Sequence, residues 1–420
     1  MILKSVILIG GPSKGTRFRP LSLDIPKPLF PVAGLPVIQH HIEACSKVEN
    51  LNEILIIGSY LASDLSQFIQ EMTNTYKITI RYLQEFIPLG TAGGLYHFRD
   101  QIRSGGPTYF FIMNGDVCAD FPLQEIVEYH EEKQALLTIM ANEATRQQSL
   151  NYGCMVLDKE GKVAHYVEKP STFVSTLINC GIYLSSPDIF QTMADVFYAG
   201  QSQENFIQFN GNGKDPAHIS LEQDILMRLA ETGRLFALPI LKWWSQVKTA
   251  GSAIYANRHY LALYKVKHPT RLASTFNGPC QINGDIYIHP SATVHPTAVI
   301  GPNVSIGPNA IIACGVRIKE SIILANAHIQ AHSIVLHSIV GKSSYVGEWA
   351  RVEGTPCDPN PNKQFAKMEN LPLFNTNGKL NPSITILGTS VRLAAEKIVL
   401  NSIVLPHKEL TRNFKNEIIL

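Results

Sequence analysis

The sequence lacks the features that mark secreted, membrane-spanning or zinc-stabilised proteins. Its seven cysteines form no Cys-x-x-Cys pair, which argues against a disulfide framework or structural zinc and favours a reducing compartment. No apolar run reaches the ~18 residues of a membrane span. The N-terminal apolar run is shorter than the roughly 7–15 residues of a signal peptide. We therefore expect a cytoplasmic protein with no membrane partner.

Concentrated charge is also missing. The net charge is +2, charged residues make up 17% of the chain, and the basic residues are scattered. Nucleic-acid binding needs a positive surface against the phosphate backbone, so no nucleic-acid partner is expected. With 45% apolar residues over 420 positions, the chain is long enough for two or three globular domains.

From residue 1 to about 265, apolar runs alternate with amphipathic segments. This alternation predicts an α/β domain with a Rossmann-like, mostly parallel mixed sheet and helices on both faces. Ligands of such sheets bind beyond the carboxyl ends of the strands. Buried strands are predicted at Val6–Ile9, Ile54–Gly58, Phe110–Met113 and Leu136–Met140, and helices at Leu35–Val48, Val127–Lys133 and Leu221–Glu231.

A six-residue period follows. The repeated apolar positions are Ile288, Val294, Ile300, Ile306, Ile312, Ile318 and Leu324. This period fits neither a helix nor a flat strand, and it predicts a left-handed parallel β-helix of hexapeptide repeats. The repeat slips near Gln330, resumes at Val340, Val346 and Val352, and returns at Leu387, Leu393, Val399 and Leu405.

These patterns predict a domain over 1–265, a linker rich in turn signals over 266–283, and a β-helix domain over 284–420. A loop at about 354–382, rich in Pro and Asn, interrupts the repeats. Long insertions of this kind are usually functional or disordered. We favour a projecting loop that meets another subunit or site, and the alternative is a solvated excursion.

The strand Val6–Ile9 leads into a turn rich in glycine and cations. Glycines allow backbone N–H groups to approach an anion closely, and the cations add charge there. The turn matches neither a Walker A loop nor the dinucleotide fingerprint. It predicts a nucleotide or nucleotide-sugar site, and the alternative is a plain turn with exposed basic residues. The turn contains Gly10, Gly11, Lys14, Gly15, Thr16, Arg17 and Arg19.

Further polar groups stand at strand ends. Asp116 is placed to hold Mg²⁺, although an aspartate after Asn-Gly often bonds only its own turn. Lys27, between two prolines, could stabilise a reacting phosphate, or it is a solvated lysine. The second glycine-rich turn, residues 89–94, could approach a base or sugar, or it is a helix start with Thr91 as N-cap.

In this order the motifs resemble those of the sugar-1-phosphate nucleotidyltransferases: Gly-Gly-x-Gly-Thr-Arg-x-x-Pro, Pro-Lys-Pro, Gly-Thr-Ala, an aspartate, Glu-Lys-Pro and Asn-x-Gly. With the β-helix, the resemblance covers essentially the whole chain. Within that family the chain is most similar to the GDP-mannose pyrophosphorylases (mannose-1-phosphate guanylyltransferases), and to their alpha, regulatory type. The features of that type are the lengthened first turn, Leu95–Asp100, Asn360-Pro361 in the interrupting loop, and the end at Ile418–Leu420.

The resemblance implies a reaction in which a sugar phosphate attacks the α-phosphorus of GTP and pyrophosphate leaves. Catalysis in that family rests on positioning and charge neutralisation. It implies Arg17 and Lys27 as catalytic groups and Asp116 as the Mg²⁺ ligand. Gly10, Gly11, Gly15 and Thr16 would hold phosphates, Gly90, Thr91 and Ala92 would face the nucleoside, and Glu168, Lys169, Asn179 and Gly181 would meet the sugar. Glu85, Asn114 and Gly153 complete the expected binding set.

Two departures from the family pattern bear on activity. The first turn has Pro12-Ser13-Lys14 where the pattern has one residue, and a shift of ~1 Å in a positioning site can cost about a hundredfold in rate. The family's second metal-binding aspartate, in Trp-x-Asp-Ile-Gly, is replaced by Gln246, with Lys248 two positions later. Both changes weaken Mg²⁺ binding, while a nucleotide-sugar pocket could survive.

We therefore expect a regulatory subunit that binds GDP-mannose and mediates feedback inhibition of a catalytic beta-type subunit. One alternative is an active mannose-1-phosphate guanylyltransferase. Another is a non-catalytic assembly scaffold, as the resemblance to translation initiation factor subunits of the same plan suggests. Self-association is expected from the regular surfaces of the β-helix.

Overall fold

The computed structural model describes residues 1–13, 15–207, 218–273, 280–369 and 372–420. Chain contacts divide the protein into two compact units. The first unit comprises Met1–Lys14, Ile38–Trp244 and Asn360–Lys367, and the second comprises Gly15–Val37, Ser245–Pro359 and Met368–Leu420. The residue limits predicted for the domains and linker stay predictions, and linker residues 274–279 lie outside the described residues.

A nine-stranded sheet forms the centre of the first unit. Its strands, numbered in chain order, are β1 Leu3–Gly10, β2 Leu51–Gly58, β3 Thr79–Gln84, β4 Tyr109–Asn114, β5 Leu137–Glu143, β6 Gly153–Leu157, β7 Val163–Glu168, β8 Leu177–Ser185 and β9 Leu235–Pro239.

The sheet is mixed and mostly parallel, as the sequence predicts. β3, β2, β1 and β4 lie side by side in parallel, and β9 lies parallel to β5. β8 runs antiparallel to β4, β5 and β6, and β7 runs antiparallel to β6. The four predicted strands fall in β1, β2, β4 and β5, where nearly continuous burial explains why the runs do not alternate.

The helices, again in chain order, are α1 Val37–Cys45, α2 Ala62–Tyr76, α3 Gly90–His97, α4 Arg99–Arg103, α5 Leu123–Lys133, α6 Arg146–Ser149, α7 Ile189–Ile207, α8 Met227–Leu229 and α9 Ala250–Lys267. The prediction at Val127–Lys133 is confirmed within the longer α5. Shorter elements are strands Val117–Ala119 and Trp244–Gln246 and 3₁₀ turns Thr16–Phe18, Lys27–Leu29 and Pro269–Arg271.

Two predicted helices are only partly right. The helix predicted over Leu35–Val48 begins at Val37, because Leu35–Pro36 forms a short strand paired with Pro31–Val32 and a residue before proline disfavours helix. The helix predicted over Leu221–Glu231 divides into a π-helical segment, Leu221–Leu226, and α8. The buried apolar residues, spaced as the period requires, are Leu221, Ile225, Leu226, Leu229 and Ala230, whereas Met227 is exposed.

Three parallel sheets form the repeat region of the second unit, which is consistent with a left-handed β-helix. One sheet comprises Gln281–Ile282, Val299–Ile300, Arg317–Lys319, Ile334–Leu336, Arg351–Glu353, Ile398–Leu400 and Phe414–Lys415. The second comprises Ile286–Ile288, Val304–Ile306, Ile322–Ile323, Ser338–Val340, Thr385–Leu387, Ile403–Val404 and Ile418–Ile419. The third comprises Thr293–Val294, Ile311–Ile312, His328–Ile329, Tyr345–Val346, Arg392–Leu393 and Glu409–Leu410.

The aliphatic residues of the hexapeptide period fill the β-helix core, but the phase slips at a different place from the one predicted. Ile323, rather than Leu324, joins the core and is followed by Ile329. The slip therefore precedes Gln330. Its cause is a coil one residue shorter: Ile300 pairs with Ile318, but Ile318 pairs with Val335. At the last slip Val404, not Leu405, is the core residue.

The described helices include none long and apolar enough to cross a membrane. The prediction of no membrane span agrees with this finding.

Candidate functional site

Asn179 organises a polar cluster inside the first unit. Its side-chain nitrogen donates to the hydroxyls of Tyr166 (3.0 Å) and Tyr183 (2.9 Å), and its oxygen accepts from the backbone N–H of Gly181 (2.9 Å). Tyr166 in turn donates to Glu168 Oε2 (3.0 Å). The amide is therefore held in one orientation, and the Glu168 carboxylate is tied to it through a phenol.

The two phenols are neutral at physiological pH, and their environment moves their pKa values further from it. Burial raises the pKa of Tyr183, and it raises the pKa of Tyr166 together with the neighbouring Glu168 charge. A neutral phenol both donates and accepts. The hydrogen-bond chain from Asn179 to Glu168 therefore persists at physiological pH.

Glycines allow the neighbouring strands to approach this cluster. A Cβ on Gly153 would lie 2.1 Å from the Tyr166 hydroxyl and 2.7 Å from Glu168 Oε2. Gly181 has a φ of 72°, and a Cβ there would lie 2.5 Å from Asn114 Nδ2. The structure thus brings together five predicted sugar-side and edge residues: Asn114, Gly153, Glu168, Asn179 and Gly181.

Asn179 and Gly181 lie within β8. The β8–β5 register is irregular between Asn179 and Tyr183. The positive φ at Gly181 accompanies this irregularity and turns polar groups toward the cluster. Lys169 lies at the rim, where its ammonium is 3.1 Å from Glu168 Oε1 and its side chain is 64% exposed.

The turns after β1, β2 and β4 meet at one sheet edge. Ser59 N donates to Gly10 O (2.8 Å), and Gly115 N donates to Leu8 O (2.8 Å). Their meeting follows from the parallel neighbours β1, β2 and β4. The predicted site residues collected at this edge are Gly10, Gly11, Asn114 and Asp116.

The second glycine-rich turn opens helix α3, and the segment that begins at His218 holds it. The amides of Ala92 and Gly93 both donate to Ile219 O (3.0 and 3.1 Å). Gly90, at a φ of 79°, passes so close that a Cβ would lie 2.4 Å from the same oxygen. Glu85 lies beside the turn, since a Cβ on Gly94 would be 2.2 Å from Glu85 Oε1.

Thr91 is not the N-cap of this helix, because Leu89 takes that place and no side chain caps it. Its hydroxyl instead donates to Glu222 Oε2 (2.9 Å) and accepts from Leu221 N (2.8 Å). The alternative of a helix start is right in position, but the N-cap role is wrong. The Thr91 hydroxyl is therefore occupied by hydrogen bonds to Leu221 and Glu222, which are distant in sequence.

The remaining predicted residues belong to the second unit. Lys27 packs against Gly15: a Cβ on Gly15 would lie 3.6 Å from Lys27 Cδ and 4.0 Å from its Nζ. Thr16 and Arg17 form an exposed 3₁₀ turn. Phe18 anchors that turn by edge-on contact with Phe30, with ring centroids 5.0 Å apart. Lys14, one of the predicted cations, lies outside the described residues.

The described residues offer few candidate ligands for a metal ion. Among the described residues, no group of three or more His, Cys, Asp or Glu side chains is placed to hold a metal ion. Gln246 Oε1 is buried and finds no hydrogen-bond partner in the part of the chain that the structure describes. An amide oxygen offers a neutral ligand where a carboxylate would bring charge.

One segment of the interrupting loop, Asn360–Lys367, belongs to the first unit. Gln148 clasps the backbone of Lys367, donating to its carbonyl (2.7 Å) and accepting from its N–H (2.7 Å). The Lys367 ammonium donates to Asn142 Oδ1 (2.5 Å) and lies over the Trp244 ring at 5.8 Å. This part of the loop meets a defined site, whereas residues 361–365 are exposed.

Three residues that contact the predicted site residues were not found from the sequence: Tyr166, Tyr183 and Glu222. The tyrosines lie in apolar strand runs, where an aromatic residue is more often core. Glu222 follows Ser220-Leu221 at a predicted helix start, which signals a cap rather than a ligand site. Their roles arise from contacts between distant segments.

An α/β sheet whose glycine-rich turns and polar cluster lie together, followed by a repeat β-helix, defines the class of nucleotidyltransferases with a C-terminal β-helix domain. The family model for nucleotidyl transferases matches residues 4–210, and the model for the GMPPB C-terminal domain matches residues 282–419. A Bacillus anthracis structure assigned as a glucose-1-phosphate thymidylyltransferase shares the fold, with a TM-score of 0.51, 20% identity and coverage of 66% of this chain and 99% of its own.

Full-length relatives specify the family. The mannose-1-phosphate guanylyltransferase regulatory subunit alpha of Drosophila melanogaster is 61% identical over 100% of both chains. The mannose-1-phosphate guanyltransferase alpha-A of Xenopus laevis is 57% identical, and the regulatory subunit alpha-A of Danio rerio is 56% identical, again over 100% of both chains. The chain belongs to the mannose-1-phosphate guanylyltransferase alpha-subunit family.

Proposed function

We propose that this chain is a cytoplasmic regulatory subunit that binds GDP-mannose and thereby restrains a catalytic beta-type mannose-1-phosphate guanylyltransferase. The observation that carries the proposal is the Glu168–Tyr166–Asn179 chain of hydrogen bonds, which fixes acceptors and donors suited to sugar hydroxyls. The relatives named regulatory subunit alpha support the same role. Self-association through the β-helix sheets is proposed with it.

Feedback requires the ligand to bind one state of the assembly better than another. A subunit that binds the product, GDP-mannose, without forming it at an appreciable rate is suited to that task. The polar cluster supplies the binding. The departures at the metal position and in the first turn supply a reason for weak turnover.

Mg²⁺ binding is proposed to be weak. Asp116, at the edge where β4 ends, would supply the carboxylate, and phosphate oxygens and water would supply the other ligands. A bound Mg²⁺ would neutralise phosphate charge. Gln246 replaces a second carboxylate by a neutral amide, so the charge attracting the ion is reduced.

The second candidate is an active guanylyltransferase. It is favoured by Lys27, whose side chain packs against Gly15 and could neutralise a transferring phosphate, and by the Glu168–Lys169 pair. In that case the sugar phosphate attacks the α-phosphorus of GTP, and pyrophosphate leaves.

Calorimetry of the purified full-length chain with GDP-mannose tests the proposal. We expect binding by the wild type and about tenfold weaker binding by Glu168→Gln, since hydrogen bonds to a charged group are strengthened by that charge. Glu160→Gln, a change of the same kind at a side chain 68% exposed, should bind as the wild type does. Absence of binding heat would favour the scaffold.

Turnover separates the first two candidates. The chain alone, supplied with GTP, mannose 1-phosphate and Mg²⁺, should release pyrophosphate only slowly. Robust release would establish the active enzyme instead.

A further inference from the structure

Glu222 makes contacts that join two parts of the proposed site. One of its oxygens, Oε2, accepts from the Thr91 hydroxyl (2.9 Å) and from the Ser220 hydroxyl (3.0 Å). Thr91 and Glu222 are 131 positions apart in the chain. The contact therefore belongs to the tertiary structure and not to a local turn.

The Thr91 hydroxyl has one proton, and this proton forms the hydrogen bond to Glu222. With that proton committed, the oxygen is oriented to accept from Leu221 N at 2.8 Å. An ionised carboxylate makes such a bond shorter and stronger than a neutral acceptor does. The threonine is thus held at two points by consecutive residues of one segment.

The backbone around Thr91 is fixed by the same segment. The amides of Ala92 and Gly93 converge on Ile219 O, and Ile219 N donates to Leu89 O (2.9 Å). These bonds set the conformation of the turn that was predicted to face the nucleoside. Glu222 is the carboxylate that bonds the Thr91 hydroxyl, while Asp224 accepts from Ser220 N (2.7 Å) in the same segment.

We propose that Glu222 is a positioning residue of the nucleotide-sugar site, which holds the Gly90–Ala92 turn in its binding conformation through the Thr91 hydroxyl. The inference rests on the proposed function, because it takes the nucleotide sugar as the ligand. Glu222 acts through Thr91 and need not touch the ligand.

The charge of the same carboxylate also acts on the sugar-side cluster. After burial, its charge is the next cause that raises the pKa of Tyr183, and it contributes to raising the pKa of Tyr166. A single acidic group therefore lies near both phenols that flank Asn179 while it holds the nucleoside-facing turn. We therefore expect Glu222 to affect both the turn expected to bind the nucleoside and the cluster expected to bind the sugar.

The experiment measures GDP-mannose affinity of the full-length chain in a double-mutant cycle. Thr91→Val removes the hydroxyl at nearly constant volume, and Glu222→Gln removes the charge at constant shape. Each is expected to weaken binding about tenfold. The double variant should bind no more weakly than the worse single variant, because the two residues act as one contact.

Two further variants control the cycle. Thr91→Ser retains the hydroxyl and should recover most of the affinity lost in Thr91→Val. Glu231→Gln neutralises an exposed carboxylate nine positions after Glu222 in the chain and should leave affinity unchanged. A merely structural defect would not be rescued by serine.

Amide hydrogen exchange gives a readout that needs no ligand. Exchange at Ala92 and Gly93 should be faster in Thr91→Val and Glu222→Gln than in the wild type, and unchanged in Glu231→Gln. Additive losses of affinity, or unchanged exchange at these amides, would overturn the inference. If the wild type binds no GDP-mannose, the proposed function fails, and exchange alone still decides whether Glu222 holds the turn.

Discussion

Burial decides which polar groups of the first unit carry charge. Tyr166 and Tyr183 stay neutral beside Glu168, so the Asn179 amide has fixed partners. His130 is the opposite case, a basic group kept neutral. It has no accessible surface, its Nδ1 is 2.8 Å from Thr138 Oγ1, and its Nε2 is buried with no partner among the described residues.

This histidine should make the first unit labile to acid. Burial lowers the pKa of His130 to about 4, whereas an unfolded histidine titrates near ~6.5. The unfolded state therefore binds the extra proton first, so stability is full above pH ~6.5 and is lost as pH falls toward ~4. Between pH 7 and pH 5 the free energy of unfolding should fall by about 2 kcal/mol.

Urea unfolding at both pH values measures this slope. His130→Gln should show a smaller loss, while His165→Gln, which changes an exposed histidine of β7, should lose as much as the wild type. Equal slopes in all three proteins would contradict the assignment.

Site residues could be predicted from the sequence where they belong to a short, contiguous motif. Asn179 and Gly181 were found because the Asn-x-Gly motif names them. Tyr166 and Tyr183 were missed, since the direction of their hydroxyls depends on the antiparallel placement of β8 against β5 and β6. Glu222 was missed because its partner, Thr91, is remote in sequence.

At the scale of elements, β8 is the strand that shapes the site. Its irregular pairing with β5 gives Gly181 a positive φ, and its Asn179 gathers the phenols. A side chain at Gly181 would meet both an unfavourable backbone conformation and the Asn114 amide.

Gly181→Ala should therefore lower the free energy of unfolding by more than the positive φ alone accounts for. Positive φ costs an alanine about 1 kcal/mol, and the clash with Asn114 should bring the total to about 2–3 kcal/mol. Gly233→Ala is the matched control, because Gly233 has a φ of 70° and nothing within 4 Å of a Cβ. Equal losses of unfolding free energy in the two variants would show that β8 tolerates the side chain.

Gln148 makes two hydrogen bonds to the backbone of the docked part of the interrupting loop. Gln148→Ala removes both hydrogen bonds to the Lys367 backbone and should release Asn360–Lys367 by about 1 kcal/mol, or about fivefold in population. Trypsin cleavage after Lys363 should accelerate by that factor. Gln147→Ala, at the exposed neighbour, should be cleaved at the wild-type rate, and equal rates in both variants would refute the clasp.

The β-helix was predictable because each coil repeats one local pattern. The positions of the slips were not, since Ile323 and Leu324 are both aliphatic and only the strand pairing decides which one faces inward. The π-helical segment after Ser220 was likewise not predictable, because the spacing of apolar residues indicates a helix but does not distinguish a π-helix from an α-helix.

At the scale of the whole molecule, the chain joins a nucleotidyltransferase unit to a β-helix domain. The proposed function requires GDP-mannose binding without rapid turnover. Under that proposal, regulation would consist of a difference in GDP-mannose affinity between two states of the assembly. This account predicts that a substitution in the sugar-side cluster weakens regulation without changing the catalytic subunit.

The most direct test is the initial rate of a reconstituted complex of this chain with its catalytic partner, measured across a range of GDP-mannose concentrations. With the wild-type chain, the rate should fall as GDP-mannose rises. With Glu168→Gln, about tenfold more GDP-mannose should be needed for the same fall. Identical inhibition curves for the two complexes would contradict the account, because the inhibitor would then act without the cluster.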